Sequence, residues 1–135
     1  MEKQKVYSPN QVLAASFLGG PMAMVYVLWR NFQALQNPHG MQQILIWGSI
    51  FIAALMLFAP LMTTGWLDYV LPFGYSFAAW WLAWTYQMPK PAIAASELYE
   101  FQSVGNVIAV SIVFLLAMMA TAIILYSTMA AVGLI

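Results

Sequence analysis

Three long stretches of the chain carry no charged side chain, at residues 12–29, 44–64 and 104–126 (from 104 or 106), and a fourth, 67–86 (from 67 or 70), carries only Asp68 at its start. Each approaches the ~20 residues that a helix needs to cross the ~30 Å hydrocarbon core of a bilayer. Polar breaks separate them. The first connection, residues 30–43, holds the turn sequence Asn37-Pro38-His39-Gly40. The second is very short, around Gly65 and Asp68, so stretches two and three are expected as antiparallel neighbours. The third opens with Met88-Pro89-Lys90-Pro91, which cannot continue a helix. Segments such as Ile50-Phe51-Ile52-Ala53-Ala54-Leu55 do not alternate polar with apolar positions, as the strands of a membrane barrel must. In lipid the backbone must bond to itself, so each stretch is predicted to be helical. The pattern therefore predicts a single all-α domain over residues 1–135, an integral membrane four-helix bundle threaded up and down.

The connections add detail. Ser8 is a candidate N-cap, with Pro9 at the first helical position and Gln11 three residues after the serine. Lys3, Lys5 and an apolar run could imitate a secretory signal. That run is long, is interrupted by Gly19-Gly20-Pro21 and is followed by Arg30 without a convincing small-x-small cleavage site, so it reads as a retained first span. Beyond Pro91, Ala94, Leu98 and Phe101 share one helical face and Glu97 and Glu100 another. This predicts a short amphipathic helix at the interface before the last span. Four crossings would put Lys3 and Lys5 on one side and Arg30 and Lys90 on the other, a tie under the positive-inside rule.

Composition agrees with a membrane setting. Charged residues make up 6% and apolar residues 64%, against about 25% and 45–50% in soluble domains. The net charge is zero, which gives no basis for nucleic-acid binding. The chain has no cysteine, so disulfides, thiolate metal sites and thiol catalysis are excluded.

Tyr7-Ser8-Pro9-Asn10-Gln11-Val12, Ala15-Ser16-Phe17-Leu18-Gly19-Gly20-Pro21-Met22-Ala23 and Arg30-Asn31-Phe32-Gln33-Ala34-Leu35 together resemble the opening of a family of small, uncharacterised bacterial inner-membrane proteins. That family shows a Ser-Pro-x-Gln-Val start, a Phe-Leu-Gly-Gly-Pro core and an Asn-aromatic-x-Ala-Leu exit. Pro91-Ala92-Ile93-Ala94-Ala95 is similar to its last connection, although Glu97 and Glu100 stand where the family often has a histidine and a basic stretch. The resemblance implies four spans and a multi-pass protein of the bacterial inner membrane. It carries no activity.

Gly19-Gly20-Pro21 is the most informative local feature. Pro21 removes one helical hydrogen bond and clashes with the carbonyl of Phe17, so the first helix is expected to kink or unwind there. A broken helix at membrane depth can line a transport path. The more ordinary reading is close packing: Ala15, Gly19 and Ala23, and likewise Ser16 and Gly20, form small-residue stripes. Ser16 is also placed to satisfy a carbonyl freed by the proline. Asp68 is expected to cap the third helix. Glu97 and Glu100, with Arg30 and Lys90, form a possible surface interaction cluster. His39, the single histidine, lies in a turn without enough partners for zinc. Trp80, Trp81 and Trp84 could form a lipid or cofactor groove or simply pack.

These features point to a non-enzymatic membrane scaffold or accessory subunit. It would act by helix packing with itself or with a larger membrane partner, surrounded by the lipid bilayer and without a cofactor. The alternative is a small oligomeric channel or carrier whose path is lined by the Gly-Gly-Pro break. An enzyme is disfavoured because no acid–base pair falls inside a span.

Overall fold

Ser8 starts the first long helix with a complete capping box. Its hydroxyl accepts from the Gln11 amide at 3.2 Å, and the Gln11 side chain accepts from the Ser8 amide at 2.9 Å. In the computed structural model, residues 3–61 and 65–135 are described, with Leu67 described for its backbone alone. Glu2 and the expected end of the second stretch at Thr64 lie outside the described residues.

The elements in order are strand β1 (Gln4–Val6), helix α1 (Pro9–Ala34), helix α2 (Pro38–Phe58) extended by a 3-10 turn (Ala59–Leu61), helix α3 (Leu67–Tyr86), helix α4 (Lys90–Ala95), strand β2 (Tyr99–Phe101) and helix α5 (Val104–Ala131). The protein is mostly helical. Three helical segments, Pro9–Ala34, Pro38–Leu61 and Val104–Ala131, are long and apolar enough to cross a membrane. Helix α3 has 20 residues, but Tyr, Trp, Gly and Pro lower its mean hydropathy.

Helix α1 does not run as one rod. Gly20 has φ 80° and ψ −171°, a region essentially restricted to glycine. The chain reverses there. Residues 9–19 and 21–34 form two arms of roughly 16 Å and 21 Å, lying side by side with both outer ends at the same end of the molecule. The proof is Asn31. Its Oδ1 accepts from the Tyr7 amide at 2.7 Å, and its Nδ2 donates to the Tyr7 carbonyl at 2.8 Å. In a straight helix, residues 8 and 31 would be about 35 Å apart. The expected four-helix up-and-down bundle, with a merely kinked first span over residues 12–29, is corrected accordingly. Gly20 permits a full turn, and the apolar sides of both arms satisfy each other.

The hairpin is the hub. Val12, Ala15, Ser16, Ala23 and Val27 are fully buried, and Leu28 nearly so. More than half of the most apolar part of α1 is buried, against 11% for α2 and α5. Helices α2, α3 and α5 pack around it. Phe17 meets Phe73 of α3 with ring centroids 4.9 Å apart, and Tyr26 meets Phe114 of α5 at 4.8 Å. Farther from the arms' outer ends, the Tyr126 hydroxyl donates to the Met56 carbonyl at 3.0 Å, joining α5 to α2.

The two strands pair in parallel, with Gln4 opposite Tyr99, Lys5 opposite Glu100 and Val6 opposite Phe101. The pairing is possible because the reversal keeps the start of α1 at the end where α3 finishes and α5 begins. It also corrects the expected amphipathic helix. Helix α4 stops at Ala95. The Ser96 hydroxyl accepts from the amides of Leu98 and Tyr99, both at 3.1 Å, closing a turn that competes with helix. Glu97 therefore lies in a bend and Glu100 in a strand, not three apart on a helical face. Ala94, Leu98 and Phe101 are each exposed and form no common apolar stripe.

Candidate functional site

Two places gather the residues singled out by the sequence: the tip of the hairpin, and the end where its arms open.

At the tip, Gly19 and Pro21 are buried and Gly20 is half-buried. A Cβ on Gly19 would lie 2.5 Å from the Ala23 Cβ and 2.9 Å from the Ser111 Cα of α5. Both arms and α5 thus converge at a point where only hydrogen fits. A Cβ on Gly20 would lie 3.6 Å from the Met118 side chain. Met118 sits about 21 Å along α5 from its start, so the tip reaches about halfway along that helix. Ala15, Ser16, Gly19, Pro21 and Ala23 are all interior, and the small-residue stripes serve contacts within the chain. The Ser16 hydroxyl donates to the Val12 carbonyl at 2.6 Å. It turns back toward the start of its own arm and not to the Phe17 carbonyl that Pro21 leaves without its usual donor.

The cavities beside the tip are apolar in character. One of about 330 Å³ is lined by Leu13, Phe17, Phe73, Ser76 and Phe77 among others. Ser76 is its polar exception, and the Ser76 hydroxyl has no hydrogen-bond partner among the described residues. Another of about 260 Å³ lies among Met22, Val25, Tyr26, Trp29 and Phe114.

At the open end, side-chain amides clasp the arms to their neighbours. Besides Tyr7, Asn31 Nδ2 donates to Gln87 Oε1 at 2.8 Å, and Gln87 Nε2 donates to the Leu28 carbonyl at 2.9 Å. This ties the end of α3 to the second arm. Gln11 Nε2 donates to the Gln102 carbonyl at 2.6 Å, and the Tyr7 hydroxyl donates to Asn106 Oδ1, tying the first arm to the start of α5. Burial pushes the Tyr7 phenol up to about 12, with Tyr26 adding to the effect and Arg30 opposing it. The phenol therefore remains a donor at neutral pH. Nothing in the sequence pattern marked Asn31 or Gln87 for this role. Two amides beside apolar stretches were the available signal.

A polar cavity of about 530 Å³ opens beside the clasp. Lys3 just before β1, Lys5 within it, Arg30 and Gln33 from the second arm, and Gln102 before α5 line it. Arg30 thus joins two lysines expected on the opposite side. Lys90 opens α4 and Glu97 lies in the bend, both exposed and outside the lining. Glu100 is the register partner of Lys5.

The other candidates are dispersed. His39 is exposed in the first turn of α2 and lines an apolar groove with Trp47 and Tyr86. Among the described residues, no three His, Asp or Glu side chains group as metal ligands. Asp68 lies in the first turn of α3, but the cap position is Trp66, which makes no side-chain cap bond. Trp80 stacks on Trp84 at 5.6 Å, and its indole donates to Asn10 at 3.1 Å. Trp81 is half exposed. No family model, curated protein or solved structure matches the chain.

Proposed function

We propose that this chain is a non-enzymatic scaffold or accessory subunit of the bacterial inner membrane, acting by helix packing with a second copy or a larger membrane partner. In this reading α2, α3 and α5 cross the bilayer. Helix α1 enters from one side, turns at Gly20 and leaves by the same side. Irregular backbone at membrane depth is tolerated where protein covers it, and the burial of Gly19 and Pro21 fits that requirement. The 20 residues of α3 reach about 30 Å, a full hydrocarbon thickness. Lys3, Lys5 and Arg30 share one cavity, and Lys90 follows Gln87 of the same clasp. All four basic residues of the chain therefore lie at one end, and the positive-inside rule assigns that end to the cytoplasm.

The outer face of α3 carries the packing reading. Trp81 and Phe77 are each more than half exposed, inside the helix and short of the ends where aromatic belts form, and Phe73 keeps a similar exposure although one side of its ring meets Phe17. Gly74 lies between them, and a Cβ there would meet nothing within 4 Å among the described residues. Aromatic side chains are enriched at protein interfaces, and a small residue lets another helix approach closely. The exposed residues of α5, including Ile112, Val113, Leu116 and Ile123, form an aliphatic surface suited to lipid. Sizing by mass in detergent tests the reading. A homo-oligomer or a stoichiometric partner is expected, and both Gly74→Leu and Trp81→Ala should release the monomer. A monodisperse, partner-free wild-type chain would overturn it.

A small oligomeric channel or carrier is the second reading, favoured by the backbone break at half depth. Solute flux in reconstituted vesicles, lowered by Gly20→Ala more than by Pro21→Ala, would select it over the scaffold.

A further inference from the structure

The cavity at the open end of the hairpin gathers charge that neither helix packing nor a route past the tip uses. Three of the chain's four Lys and Arg residues line it, together with the neutral amides of Gln33 and Gln102, and no carboxylate is part of its lining among the described residues. The cations come from two separate segments, residues 3–5 and the second arm of α1, held together by the Tyr7–Asn31 clasp. Like charges brought together repel, so a fold that converges them in one recess is suited to an anion.

Part of the donor set is already directed. Arg30 donates to Gln33, which fixes the guanidinium beside the recess. Lys3 donates to the Ser96 carbonyl at 3.3 Å, which holds its ammonium between β1 and the turn before β2. Glu100, the register partner of Lys5, remains outside the lining. A guanidinium fork matches phosphate oxygens in two-point contact, and a lysine adds a point charge. The volume of about 530 Å³ falls within the range of small-ligand sites, about 300–1,000 Å³.

We propose that this cavity binds a phosphate group, supplied by the headgroup of an anionic glycerophospholipid in the leaflet at that end. Basic recesses at the cytoplasmic ends of membrane helices are suited to such headgroups. The phosphate chemistry rests on the cavity itself. The lipid source rests on the membrane placement proposed above, and neither depends on α3 meeting a partner.

The test uses the full chain in neutral detergent, with native mass and melting temperature read against phosphatidylglycerol, phosphatidylcholine and inorganic phosphate. Phosphatidylglycerol should bind about tenfold more tightly than phosphatidylcholine, and Arg30→Gln or Lys5→Gln should each remove about that factor, equivalent to one decade in Kd. Helical circular dichroism checks that both variants fold. Lys90→Gln removes the same charge at the same end but outside the recess, and should bind as wild type. Stabilisation by inorganic phosphate that Arg30→Gln abolishes, without lipid preference, would retain the phosphate site and overturn its lipid source. Equal binding of both lipids without a phosphate effect would overturn the proposal. So would a loss in Lys90→Gln as large as in Arg30→Gln.

Discussion

Asn31 and Gly20 hold the hairpin, one by its side-chain amide and the other by a backbone region open to glycine. Asn31 presents an acceptor and donors in one plane and satisfies both backbone groups of Tyr7 while also reaching Gln87. Asn31→Leu has a similar bulk but leaves those buried partners without hydrogen bonds. A loss of about 1–3 kcal/mol is expected, measurable as reduced resistance to unfolding in mixed detergent micelles. Gly20→Ala should cost a similar ~1–3 kcal/mol through strain at its backbone angles. Pro21→Ala should cost much less, because the reversal is set one residue earlier and Ala accepts helical geometry. If Pro21→Ala proves the more damaging of the two, the turn has been assigned to the wrong residue. The Tyr7 phenol gives a pH signature. Its folded value of about 12 lies above the ordinary 10, so its contribution is complete below pH 10 and is lost as pH rises through 10 toward 12. Tyr7→Phe should flatten that alkaline fall in stability.

At the scale of elements, the sequence was readable wherever one property decided the outcome. Near-absence of charge over about 20 residues sufficed to locate α2, α3, α5 and the two-armed α1, and Ser8 with Gln11 sufficed for the start of α1. Gly19-Gly20-Pro21 marked the break but not its angle. A slight kink and a full reversal both relieve the proline, and the choice depends on whether residues 9–19 find a better surface on residues 21–34 than on a neighbour. That is a tertiary question, decided by Val12, Ala15, Ala23 and Val27 burying together. The acidic segment shows the same limit. The spacing of Glu97 and Glu100 is helical, but Ser96 closes a turn and β1 offers a strand to pair with, so local periodicity loses. Spin labels on Asn10→Cys and Gln33→Cys test the reversal. A continuous helix would hold these positions about 35 Å apart. Arms packed about 8–10 Å apart should give a distance below roughly 25 Å. At the tip, Gly19→Leu must displace either Ala23 or the α5 backbone at Ser111. Overpacking of about 1–3 kcal/mol should appear as earlier thermal loss of helix.

For the whole molecule, the reversal changes which residues share a side. Four crossings would divide the basic residues two against two. In the proposed arrangement a hairpin followed by three crossings collects Lys3, Lys5, Arg30 and Lys90 at one end, and the reversal itself brings β1 to β2 and lines the polar cavity from residues 3–5 and the second arm. The charge asymmetry, the strand pair and the cavity therefore have a single cause in the backbone of Gly20. The chain's lack of cysteine allows that cause to be tested without background. Single substitutions Lys3→Cys, His39→Cys, Glu97→Cys and Gly133→Cys would each be exposed to a membrane-impermeant maleimide in sealed vesicles of known orientation. The account predicts that positions 3, 39 and 97 react from the same side and position 133 from the other. Labelling of position 3 together with 133, opposite 39 and 97, would mean that the first helix crosses the membrane, and would contradict the re-entrant hairpin.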